Sequence, residues 1–228
     1  MDSAQESDQQ RVQPSVSELP DSLGEGTTLL LCPFDPTAHD LSLLALAEFG
    51  ESTDTGVIVT TTRGVEKTIE TYTALDDANA QPSICIVDTV SEQQSISAMY
   101  ETVPTVFTPS AEDVERLVLA LSDLTRNRTP DDGERHLVVP SLTPLLANAS
   151  VSQITDVLDR ITGLRTAGGF GLFGLDYTEH DESTVSAVAS AVDRVLWVTK
   201  QADDEFAFEL RSTRGELREL SVSKDPSE

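Results

Sequence analysis

Residues 29–46 read LLLCPFDPTAHDLSLLAL. The run from Thr28 to Pro33 is apolar and follows Gly24-Glu25-Gly26, the pattern of a short strand buried on both faces. Two prolines, Pro33 and Pro36, then interrupt backbone hydrogen bonding. Residues 39–49 follow as a helix, with Leu41, Leu44, Ala45 and Glu48 at helical spacing. A strand that turns into an apolar helix is the first half of a strand–helix–strand unit, and so of a parallel sheet.

The alternation continues outward. Strands are predicted at 56–60, 84–88, 136–140 and 170–176, and helices at 65–78, 111–125, 151–165 and 182–192. Gly168-Gly169 is read as closing the third of the later helices and as a point of close backbone packing. Residues 194–199 and 205–210 read as a final antiparallel pair. Strands apolar throughout and separated by helices predict an α/β fold, a mostly parallel sheet with helices on both faces. Ligands in such folds sit beyond the carboxyl ends of the strands, so the residues just after each strand are the candidates for function. Residues 1–23 are rich in Gln, Ser and Asp and are expected to be a tail, as are 222–228, leaving one domain at 24–221.

Of the 228 residues, 40 are Asp or Glu and 15 are Lys or Arg, a formal net charge of −25. Only Lys67, Lys200 and Lys224 are lysines. Acid excess with so little lysine is the composition of a protein that works in concentrated salt, where a Debye length of about 3 Å screens the self-repulsion. The expectation is a melting temperature that falls as salt is lowered. The same charge argues against nucleic-acid binding, since no basic stripe is present to neutralise phosphates. The arginines between Arg126 and Arg135 are interrupted by Asp131, Asp132 and Glu134 and read as a solvated loop. No apolar run approaches the roughly 20 residues of a membrane span. The opening MDSAQESDQQ lacks the basic-then-apolar pattern of a secretory signal, so a cytoplasmic location is expected. Cys32 and Cys85 each lie inside an apolar run, as buried free thiols of a reducing compartment do.

The stretch 29–46, with GVIVTTTRGVEKTIE at 56–70, HLVVPSLTPLL at 136–146 and RTAGGFGLFGLDYTEHDESTV at 165–185, resembles the KaiC-type members of the RecA superfamily across roughly residues 24–215. The resemblance implies a RecA-like P-loop NTPase fold, with subunits that pack against one another and nucleotide at the seam. It also implies positions for the ATP machinery, and this chain departs from each. Where a phosphate loop has glycines, a lysine and a hydroxyl, the chain has Cys32-Pro33-Phe34-Asp35-Pro36-Thr37-Ala38-His39. Ala38 stands at the lysine position, His39 at the first hydroxyl and Asp40 at the next. Pro140 occupies the Walker B aspartate position, and Thr62 and Arg63 occupy the catalytic acidic pair. Asp88, after the strand 84–87, offers an alternative Walker B register. The expectation is a pseudo-ATPase with no catalytic residues and no cofactor. Its function is then that of a non-catalytic regulatory or scaffold protein, whose partner is another protein, an active paralogue or a second copy of itself.

Two other readings stand beside it. One is an enzyme or small-ligand receptor with an unfamiliar site built from Asp35, His39, Asp88, Asp176 and His180. The other is nucleotide binding without hydrolysis. The segment Asp176–Glu182 is the richest polar cluster, and Asp176, His180 and Asp181 could make an acid–base pair or a divalent-ion site. Its structural reading is a loop into a helix capped by Asp181 or Ser183. Ser91 and Ser141 follow strands without the Gly-x-Ser-x-Gly setting of a nucleophile. The glycines 168–174 precede a strand, where a dinucleotide fingerprint would follow one. Trp197 reads as core and His136 as surface.

Overall fold

The computed structural model describes residues 19–33, 35–75, 81–91, 103–108, 110–111, 113–126, 133–147, 149–200 and 206–213. In chain order the elements are β1 (Thr27–Cys32), α1 (Asp35–Phe49), β2 (Thr55–Thr60), α2 (Val65–Thr73), β3 (Ser83–Asp88), β4 (Thr105–Phe107), α3 (Val114–Arg126) and β5 (Arg135–Val139). There follow α4 (Thr143–Leu146), α5 (Val151–Thr162), β6 (Gly171–Asp176), α6 (Glu182–Ser190), β7 (Arg194–Lys200) and β8 (Phe206–Ser212).

The strands form one eight-stranded sheet in the order β4-β3-β2-β5-β6-β1-β7-β8. Every neighbouring pair is parallel except β7 and β8, which are antiparallel. The α/β class with a mostly parallel sheet, expected from the apolar strands, is the one observed. Alternation along each strand divides the core in two. Leu29, Leu31, Val57, Val59, Val139 and Phe173 pack beneath α3, α5 and α6, through Leu117, Leu121, Ile154, Leu158 and Val188. Leu30, Cys32, Ile58, Ile86, Val138 and Leu172 pack beneath α1 and α2, through Leu41, Leu44 and Ile69. Helix α1 is buried along most of its length because it crosses β1, β5 and β6 at the centre of the sheet. Cys32 and Cys85 are buried and form no disulfide.

The structure corrects several boundaries. Leu19 and Leu23 are buried in the core beneath a 3-10 turn at Asp21–Gly24, so the packed chain reaches back to Leu19 rather than beginning at 24. Isolated leucines in a polar stretch carry no periodicity, which hid them. Residues 1–18 and 214–228, including the expected tail at 222–228, lie outside the described residues. Helix α1 begins at Asp35, not at 39, because a proline is tolerated in a first turn whose N–H groups have no intrahelical partner. Helix α5 stops at Thr162 with Gly163 as its cap, so Gly168-Gly169 does not close it. Gly169 serves the close packing instead: a Cβ there would sit 1.9 Å from the Arg135 carbonyl oxygen. The short strand β4 and the single turn α4 were not anticipated.

Candidate functional site

The carboxyl edge of the parallel strands is the place to look. Strand β1 ends at Cys32 and α1 begins at Asp35, so the chain turns from strand to helix across residues 33 and 34. Ala38 and His39, in the first turns of α1, are almost fully buried. Ala38 lies against Gly174 of β6, where an added Cβ would be 3.0 Å from the Ala38 Cβ and 1.9 Å from the Pro140 carbonyl oxygen. Helix α1, β6 and the end of β5 therefore meet with no room for a side chain between them.

Around that junction the polar groups are joined in a chain. Arg63, in the turn between β2 and α2, donates from Nη1 to Asp40 Oδ1 at 2.8 Å. The same Nη1 lies 3.4 Å from His39 Nδ1. His39 Nε2 lies 3.3 Å from Thr68 Oγ1, whose hydroxyl donates to the Gly64 carbonyl at 3.2 Å. His39 Nδ1 also lies 3.5 Å from Asp40 Oδ1. His39, Asp40 and Arg63, singled out separately in the sequence, are thus brought together as a clamp between α1 and α2. Thr62 lies beside them, half-buried. Thr61, not singled out by sequence, is buried and donates to the Ser141 carbonyl at 2.6 Å, tying the ends of β2 and β5.

Asp88 is fully buried at the end of β3. Its Oδ1 accepts from Thr60 Oγ1 at 2.9 Å, Val90 N at 2.8 Å and Ser91 N at 3.3 Å. Its Oδ2 accepts from Val65 N at 3.0 Å and Ser91 Oγ at 2.6 Å. The carboxylate holds the N-terminus of α2 and the loop after β3, a placement the helix dipole favours. Strand β3 is also four positions from β1 in the sheet. At about 4.8 Å per strand that is roughly 19 Å from the β1–α1 turn.

Asp176 ends β6, and its Oδ1 accepts from Thr178 N at 2.9 Å and Thr178 Oγ1 at 2.6 Å. His180 Nε2 lies 3.3 Å from Thr143 Oγ1 on α4. Asp181 caps α6, accepting from Thr184 N at 2.8 Å and Ser183 Oγ at 2.9 Å. Those bonds, the Thr184 backbone N–H first, hold the Asp181 carboxyl below the ordinary aspartate range. Among the described residues no group of three or more His, Cys, Asp or Glu could hold a metal ion. Of the Asp35, His39, Asp88, Asp176 and His180 set, the Asp35 side chain lies outside what is described; the other four follow strands spread from β3 to β1 in the sheet order, and His39 and Asp88 are bonded inward. Of the set, His180 lines an open groove.

His136 is a correction. It is buried, not on the surface, at the opposite edge of the sheet. Its Nε2 is 3.0 Å from Asp54 Oδ2, its Nδ1 accepts from Phe170 N at 3.2 Å, and its ring stacks on Phe170 at 4.0 Å. Asp54 also accepts from Glu51 N and Glu134 N, each at 2.7 Å. Burial pushes the Asp54 carboxyl up, but these three donors outweigh it and hold its pKa below the usual 3.8. Trp197 packs against the core as expected but is only partly buried, lining the groove beside Tyr177 at a ring distance of 5.3 Å. From the segment Arg126–Arg135, residues 127–132 lie outside the described residues, Arg126 ends α3 and Arg135 begins β5.

A nucleoside triphosphate with Mg²⁺ is the ligand that the RecA resemblance implies. The residues do not fit it: Ala38 is buried against β6, and the Arg63 guanidinium is bonded to Asp40.

The arrangement defines an α/β domain with a single mostly parallel sheet and a carboxyl edge bonded to itself. The chain belongs to a family of unknown function, DUF7504, whose model matches residues 26–198. A search of curated proteins finds no match. Among solved structures the chain is similar to a KaiC-like protein of the hyperthermophilic archaeon Pyrococcus horikoshii OT3. The two are 13% identical, the match covers 85% of this chain and 82% of that one, and the TM-score is 0.49. Among the described residues no helix is long and apolar enough to cross a membrane.

Proposed function

We propose that this chain is a RecA/KaiC-like domain that carries out no ATP chemistry and acts as a regulatory or scaffold protein. Its partner is another protein, an active paralogue or a second copy of itself. The observation that carries the reading is the clamp of Arg63 on Asp40 and His39 at the β1–α1 turn. Phosphate loops work by leaving backbone N–H groups and a lysine unspent, so that they bond the ligand. Here Ala38 packs against β6, and His39 and Asp40 are engaged by Arg63 and Thr68. The sheet framework is retained while Ala38, Pro140, Thr62 and Arg63 stand where the resemblance places the ATP machinery, which supports a role for the surface rather than for chemistry. The acidic excess supports a setting of concentrated salt in a cytoplasm.

The test is calorimetric titration of ATP with Mg²⁺ into the folded chain in about 1 M KCl, where screening is strong. The expected result is no binding heat. Saturable binding would overturn the reading and bring nucleotide binding forward. Light scattering under the same conditions separates the partners. A monomer at every concentration removes the self-association version and leaves a different protein as the partner.

A further inference from the structure

The groove beside the closed carboxyl edge has the size and chemistry of a ligand site. It lies between α6 and the β7–β8 pair and encloses about 570 Å³. Small-molecule sites fall between about 300 and 1,000 Å³ and combine apolar walls with a few polar groups. The floor is Leu31 and Val195, both buried, with Trp197 beside them. Val185 and Ala189 of α6 form the facing wall, and Tyr177 closes the end next to β6. Tyr177 and Trp197 meet at an interplanar angle of 55°, so the two rings offer a bent aromatic surface.

The charges around the groove narrow the ligand. Arg211 lines it, but its guanidinium is held by Glu209, from Nε at 2.9 Å and Nη2 at 2.7 Å. His180 is in contact with Thr143. Glu182 is exposed at the rim. The pairing of Arg211 leaves the groove little positive charge for an anion, and the chain as a whole carries −25. The geometry points to a binding site for an uncharged, flat, largely apolar small molecule, seated on Trp197 and Tyr177 between α6 and β7. Apolar contact supplies the affinity, and the aromatic surface favours ring over chain.

Trp197 is the only tryptophan in the chain, so its emission reports the groove directly. The probe is coumarin, an uncharged planar molecule, titrated into the full chain and compared with its carboxylate derivative. The expected result is saturable quenching of Trp197 by coumarin and weaker quenching by the anion. Ser186→Phe, at an exposed position of α6 that lines the groove, should weaken coumarin at least about tenfold, a loss of roughly 1.4 kcal/mol. Ala189→Phe fills the same space from the wall and gives the second variant, with melting curves confirming that both fold. No quenching up to the solubility of coumarin overturns the proposal, as does quenching unchanged in both variants. Tighter binding of the anion overturns the ligand class. Trp197 emission that follows protein concentration instead of probe assigns the groove to a second copy and overturns it as well.

Discussion

Among the described residues the amino edge of the sheet buries Asp54 and the carboxyl edge buries Asp88 and Asp176, and Asp54 and Asp88 are spent differently. At the amino edge Asp54 accepts from two backbone N–H groups and the His136 ring. At the carboxyl edge Asp88 accepts from three backbone N–H groups and two hydroxyls. In parallel α/β sheets the carboxyl edge is the one that holds ligands. Here Asp88 is the more heavily bonded of the two, so this carboxylate serves the fold. A groove lies to the flank, between α6 and the antiparallel β7 and β8.

Three measurements sharpen or break this comparison. The largest effect is expected for Asp88→Ala, which leaves five donors facing no acceptor and should cost at least about 3 kcal/mol in chemical denaturation. A cost below that of losing Asp54 would reverse the ranking of the edges. Asp54→Asn comes next, at about 2 kcal/mol near neutral pH. Its signature is in the pH profile. Ionised Asp54 has a lowered pKa in the folded state, so its contribution is present above the unfolded value of 3.8 and is lost as pH falls through the folded one. Part of the wild-type loss of stability on acidification should therefore be missing in Asp54→Asn, and an unchanged acid limb would show that the three donors do not govern this group. The smallest effect belongs to Arg63→Ala. The ion pair with Asp40 is partly exposed, and its removal should cost about 1 kcal/mol. If ATP·Mg²⁺ binding emerges in that variant, the clamp rather than the packing beneath it was what closed the edge.

Much of the fold could be read from the chain because parallel strands buried on both faces are short unbroken apolar runs. Thr28 to Cys32 and Ile84 to Val87 announce themselves that way. Strand β4 could not be read, since Thr105–Phe107 is three residues long and sits at the sheet margin, half-buried. Leu19 and Leu23 owe their burial to the surface that α1 and the sheet present, which no local pattern records. The same holds for the site. His39, Asp40 and Arg63 were each conspicuous, but their meeting depends on α1 and α2 lying side by side on one face. The burial of His136 depends on Asp54 and Phe170, which are 82 and 34 residues away. Trp197 in an apolar strand packs against the core as it looks, but its partial exposure beside the groove leaves no mark in the sequence.

The position of β1 also sets a schedule. It is the first strand among the described residues, yet its sheet partners are Gly171–Asp176 and Arg194–Trp197. A ribosome adding roughly 5–20 residues per second needs on the order of ten seconds to cover that interval. For that time Leu29, Leu30 and Leu31 have no strand to pair with, and the centre of the domain cannot close. A wholly buried apolar strand thus waits for partners made more than a hundred residues later.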